Sequence, residues 1–134
     1  MTPVARLGSL GLLVLLGACG GGNGGPPPSE AGDLTLSYFQ GGPAVGAMLI
    51  TITGGPVQTV TVPSGQQLQV SFSSPSAGTT RIIVTGLLST GDILTIRIPD
   101  VTLATSYVPH VDQVADNVTF SLIDPAVHTL TLHR

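Results

Sequence analysis

Charge, aromatic rings and cysteine are all scarce in this chain of 134 residues. Charged residues make up 8% of it and aromatics 4%; there is no tryptophan, and no lysine at any position. Four arginines scattered through such a chain form no basic face to set against a row of phosphates. The ring platforms on which single-stranded nucleic acids stack are missing too, so nucleic acid is not expected as a partner. No G-x-S-x-G elbow occurs; Ser64 lies between Pro63 and Gly65, and Ser73, Ser74 and Ser76 cluster around Pro75, where they read as turn formers. Nucleophilic catalysis is therefore left without a poised hydroxyl. The oxygen ladder of an EF-hand and a close histidine pair are also absent. Neither enzymatic activity nor a cofactor is expected. A lone cysteine cannot close an internal disulfide, so Cys19 needs another role.

Its position supplies one. Residues 1–6 carry a single positive side chain, Arg6, and residues 7–16 are dominated by Leu and Val. At about 1.5 Å per residue that apolar run is too short for a hydrocarbon core of about 30 Å, and it has the length of a signal h-region. It ends in Leu16-Gly17-Ala18-Cys19, which closely resembles the bacterial lipobox. The resemblance implies that the thiol takes a diacylglycerol, that cleavage falls between Ala18 and Cys19, and that Cys19 becomes the acylated N-terminus. Two or more acyl chains anchor stably in a lipid bilayer where one binds only marginally. Gly20 rather than Asp follows the cysteine, which under the simple retention rule favours the outer over the inner membrane. The expected division is a lipoprotein signal peptide over 1–18, a tether over 19–32 and one domain over 33–134. Removing the signal takes Arg6 with it, so three arginines against seven carboxylates leave a net charge of −4.

Residues 20–32 read GGGNGGPPPSEAG, with no apolar side chain larger than proline to offset the entropy of ordering them. Glycine makes the first part a flexible coil, and Pro26-Pro27-Pro28 a short stiff stretch. Random-coil scaling then holds the domain roughly 20 Å from the bilayer. The tether is a spacer with no chemistry assigned to it.

From residue 33 onward, short segments rich in Val, Ile, Leu and Thr recur between Gly, Pro, Ser and Asp. They predict strands over 34–39, 47–53, 57–62, 68–73, 81–85, 93–98, 107–114, 118–123 and 128–133. That rhythm is the rhythm of an antiparallel β-sandwich, and no window carries a helical stripe. Leu68, Val70 and Phe72 alternate with Gln67, Gln69 and Ser71; Val118, Phe120 and Leu122 alternate with Asn117, Thr119 and Ser121. Both segments therefore read as strands with one buried face, and Ile50 and Phe120 are expected in the core. Met48 to Ile52 and Ile82 to Val84 are apolar on both faces or nearly so, which marks them as central strands. Pro109 interrupts 107–114 and fits only an edge or a bulge.

The segments GAMLITITGG (46–55), RIIVTG (81–86) and IRIPDV (96–101) resemble the cohesin-like β-sandwiches of bacterial surface and cell-wall proteins, and small bacterial lipoproteins carrying such a domain. The resemblance covers residues 34–132 and rests on packing signals. It implies an Ig-like, all-β domain without catalytic residues, and it names no specific partner.

The residues that carry chemistry are few. His110 and Asp112 share a face if 108–114 is extended, and Asp116 could join from the following turn. They are the only candidate metal ligands, and three donors from one segment fall short of a Zn²⁺ or Ca²⁺ shell, so no metal site is expected. The reading expected instead for His110, Asp112 and Asp116 is a polar strand face and a turn capped by Asp116-Asn117. His128 lies on the Leu130 and Leu132 face and reads as a histidine at the edge of the core. Asn117-Val118-Thr119 matches a glycosylation sequon by chance. With Phe72 and Phe120 read as inward, Tyr107 and the pair Tyr38 and Phe39 are what remain for a sugar platform. The expected function is a non-catalytic protein-interaction or structural module of the cell envelope, partnered by an envelope protein or polysaccharide. The alternative is a polysaccharide- or small-ligand-binding domain. Tyr38 and Tyr107 exposed side by side would favour that alternative.

Overall fold

The computed structural model describes residue 22 and residues 24–134. The signal segment, the lipobox, Cys19 and residues 20, 21 and 23 lie outside the described residues. Residues 24–31 are exposed and irregular. Among the described residues no helix is long and apolar enough to cross a membrane.

The strands are β1 Gly32–Gln40, β2 Val45–Thr53, β3 Thr59–Thr61, β4 Gln69–Ser76, β5 Thr79–Leu88, β6 Gly91–Ile98, β7 Val108–Asp116, β8 Leu122–Ile123 and β9 His128–His133. Two 3₁₀ turns, Val101–Ser106 and Pro125–Val127, complete the regular structure. One sheet has the order β3-β6-β1-β9 and the other β4-β5-β2-β7-β8, and every pairing is antiparallel. This is the all-β sandwich that the spacing of the apolar segments predicts.

Alternation along the strands builds one core between the sheets. Leu34, Leu36 and Tyr38 of β1 point inward with Leu94, Ile96 and Ile98 of β6. Met48, Ile50 and Ile52 of β2, with Ile82, Val84 and Leu88 of β5, meet them from the other sheet. The two segments read as apolar on both faces, in β2 and β5, are both interior strands of the five-stranded sheet, with β2 in the middle. Pro109 sits where the ladder is open, since β8 reaches only Val114 and Ala115 of β7.

Two expectations fail, each for a local reason. Residues 118–123 are not a half-buried strand: only Leu122–Ile123 pair, and Phe120 is 63% exposed. Asp116 is the cause. Its carboxylate accepts from the backbone N–H of Val118 (2.8 Å), Thr119 (2.7 Å) and Ser121 (3.1 Å), and from the Thr119 hydroxyl (2.6 Å). Those bonds wind the chain into a turn and carry Phe120 into a left-handed conformation (φ 55°), because they offer its backbone an alternative to the ladder. The Thr119 hydroxyl first, then the backbone donors, hold the carboxyl down to about 2. The Phe120 ring lies over Gly46, where a Cβ would stand 3.0 Å from the ring edge and 2.8 Å from Asn117 Cα. Phe72 does share the inward face of Ile82, but β4 has a neighbour on one side only and the ring stays 40% exposed.

Candidate functional site

Where β7 runs past β9, the sandwich has a groove of about 390 Å³ lined by His110, Asp112, Pro125, His128 and Thr129 among others. A bulge in β7 shapes it. Leu49 faces Gln113 while the next residue, Ile50, faces Val111, so Asp112 is the extra residue. The bulge aims the Asp112 carboxylate to the side of β2 that carries Thr51, whose hydroxyl donates to it at 2.5 Å. His110, opposite Thr51 in the ladder, brings Nε2 to 3.8 Å from the other carboxylate oxygen. His110 and Asp112 thus share a face. Asp116 does not join them, since its four acceptor bonds are spent on the turn. Among the described residues no group of three His, Cys, Asp or Glu could hold a metal ion.

The order of contacts limits what this cluster can do. In a hydroxyl nucleophile's relay the imidazole stands between the hydroxyl and the carboxylate. Here Asp112 stands between Thr51 and His110, so the hydroxyl proton is held by a carboxylate and the imidazole touches no nucleophile.

His128, the residue that alternation places on the inner face of β9, is buried against Tyr38. The rings stack with centroids 5.8 Å apart, and Tyr38 Oη lies 2.8 Å from His128 Nδ1. Burial pushes the Tyr38 phenol up to about 12, so it keeps its proton. A phenol donating to Nδ1 leaves one unsatisfied group, the N–H at Nε2; the other tautomer would leave the phenol proton orphaned as well. The first arrangement is therefore preferred. Burial also pushes the His128 imidazole below its ordinary value, against a smaller opposing pull from Asp124. Since the unfolded chain then binds that proton more readily, stability is complete above about pH 6.5 and falls as pH drops toward the folded value. Urea titrations between about pH 7 and 5 should show a falling midpoint that His128→Gln flattens. An unchanged slope in that variant would mean that His128 is not buried neutral.

Of the three rings left for a sugar platform, Phe39 is exposed, at 60%, and the two tyrosines are buried. Tyr38 is 1% and Tyr107 6% exposed, and the Tyr107 hydroxyl donates to the Pro56 carbonyl at 2.8 Å. A phenol with a buried bonding partner reads in sequence like an exposed one, so only the structure separates the two.

The two outer faces of the sandwich differ sharply. On the four-stranded sheet, Thr35, Ser37, Thr59, Thr61, Thr95, Thr129 and Thr131 make a mainly hydroxyl surface, with Asp33 and Arg97 paired at 3.0 Å and one exposed ring, Phe39, beside Thr129. On the five-stranded sheet, the register puts Ala47, Leu49, Ile83, Ala115 and Leu122 side by side, with Ile83 51% and Leu122 69% exposed. A shallow depression of about 220 Å³ runs between them. Leu87 and the Phe120 ring extend the apolar area past the end of β2. Pattern alone does not find this surface, because Leu49 and Ile83 read as the second apolar face of central strands. No family model, curated protein or solved structure matches the chain.

Proposed function

We propose that this chain is a membrane-anchored bacterial lipoprotein whose β-sandwich serves as a non-catalytic protein-interaction or structural module of the cell envelope. The observation that carries the module is the aliphatic outer face of the five-stranded sheet, where Ile83 and Leu122 are exposed on either side of the half-buried Leu49. Contiguous exposed apolar surface marks a place where something docks. The cluster at His110 and Asp112 supports no reaction step, for the contact order given above. The anchor rests on sequence: Leu16-Gly17-Ala18-Cys19 supplies the acylated cysteine, and Gly20 favours the outer membrane. The groove beside β9, polar at His110, Asp112 and Thr129, is the observation that favours the second reading, a small-ligand- or polysaccharide-binding domain.

Crosslinking in the native envelope followed by mass spectrometry tests both halves. Wild-type protein should pellet with membranes and give a reproducible neighbour. Cys19→Ser should abolish lipid labelling and membrane retention while leaving the domain folded. Ile83→Asp should stay in the membrane and lose the neighbour. Retention of Cys19→Ser in membranes overturns the anchor, and an Ile83→Asp pattern identical to wild type overturns the module.

A further inference from the structure

We propose that the partner of the five-stranded sheet's outer face is the same face of a second copy, packed about a two-fold axis running along β2. This rests on the interaction-module reading and names its partner. The argument begins with how the face is laid out in rows. Across the sheet the register sets Arg81 of β5, Thr51 of β2 and His110 of β7 in one row, with Asp112 drawn to Thr51 by its hydrogen bond. The next row is Ile83, Leu49 and Gln113, and the one after it Thr85, Ala47, Ala115 and Leu122.

Arg81 is exposed and makes no salt bridge among the described residues, whereas Arg97 is paired with Asp33. Asp112 keeps one carboxylate oxygen beyond hydrogen-bond reach of any donor, the nearest imidazole nitrogen being at 3.8 Å. The face thus carries Arg81 on one side of β2 and, on the other, His110 in the same row with the Asp112 carboxylate beside it at the Thr51 hydroxyl. Rotation by half a turn about β2 exchanges left and right and keeps the row. It sets Arg81 of each copy over His110 of the other, within reach of the Asp112 carboxylate beside it, Leu49 over Leu49, and Ile83 over Gln113. A two-fold axis across the strands would carry Arg81 to another row, away from the carboxylate. Charge complementarity therefore selects the axis, and an isologous pairing satisfies both charges twice.

The area is of the order such a pairing needs. Strands of 8, 10, 9, 9 and 2 residues, about 4.8 Å apart with about 3.3 Å per residue, project roughly 600 Å², against the roughly 800 Å² per partner of a standard specific interface. Tethering also assists, since anchoring two copies to one bilayer raises their effective concentration.

The test uses the full chain in its own membranes. Leu49→Cys places a thiol on the axis, and a short bis-maleimide spans the roughly 10 Å between facing sheets. The only native cysteine is Cys19, so wild type and Thr95→Cys, on the opposite face, serve as controls, and mass spectrometry reads which residues are linked. The expected result is a dimer linked 49 to 49. Arg81→Asp and Asp112→Arg should each reduce it at least about tenfold through like-charge repulsion, and the double reversal should restore it. Chains carrying Ile83→Cys should crosslink to chains carrying Gln113→Cys and not to themselves; this arm serves if Leu49→Cys accumulates poorly. A 49-linked product with a different protein overturns the self-pairing and leaves the module reading standing. No product from position 49 or 83 overturns the self-pairing, while the module reading stands or falls on the Ile83→Asp pattern in the envelope crosslinking. A dimer unmoved by the charge reversals overturns the proposed axis.

Discussion

Alanine at position 54 is expected to cost about 3–5 kcal/mol, most of the margin of a domain this small. Gly54 ends β2 with φ +111°, in a region that side chains rarely enter, and its N–H donates to the Gly78 carbonyl at 3.1 Å. A Cβ there would stand 1.8 Å from the Ser106 carbonyl oxygen and 2.6 Å from its carbon. Both neighbours are backbone at the junction of the 3₁₀ turn Val101–Ser106 with β7, so no rotamer change relieves the clash. Either β2 must end sooner or β7 must move off it. Gly65 is the control, because its φ is +87° and a Cβ there would meet nothing within 4 Å. Gly65→Ala should cost only conformational strain, about 1 kcal/mol. In thermal melts the gap between the two variants should be about 10 °C or more. Equal melting temperatures would show that the β2 end does not approach Ser106.

Ile50→Ala is expected to cost about 3–5 kcal/mol and Phe120→Ala less than about 1. Ile50 is wholly buried at the centre of the middle strand, paired with Ile82 on one side and Val111 on the other. Removing its side chain leaves a cavity in a core that rigid ladders prevent from collapsing. Phe120 carries the larger side chain, yet 63% of it already faces solvent and its backbone is held by Asp116 whatever the ring does. Chemical denaturation of the two variants decides the matter. Comparable losses would mean that residues 118–123 pair as a strand after all and that the Asp116 turn is wrong.

Those two isoleucine and phenylalanine positions show how far the residues alone carry. Alternation treats Phe120 as it treats Ile50, as one more inward apolar residue in a segment of period two. The deciding signal, an Asp-Asn pair ahead of Thr119 and Ser121, is legible as turn chemistry. It loses in a sequence reading because hydrophobic period is counted over the segment, while the carboxylate's four hydrogen bonds are counted nowhere. Gly54 is similar. A Gly-Gly-Pro run announces a turn, but only the approach of Ser106, fifty-two residues further along the chain, makes the first glycine irreplaceable.

What the sequence determined by itself was local in origin: eight of the nine strand segments in order, an antiparallel sandwich, β2 as a central strand, Pro109 at an open edge, and His110 with Asp112 on one face. Each follows from period, length and punctuation, which are properties of neighbouring residues. The tertiary structure alone decided which apolar faces are covered. Leu49 and Ile83 are indistinguishable in pattern from Ile50 and Ile82, yet one pair meets the opposite sheet and the other meets water. Tyr38 is sealed against His128, ninety residues away, and the same closure brings Arg81 and Asp112 to either side of β2. Burial is a property of the assembled layers, and strands that read alike separate only when each sheet has chosen the side on which it packs.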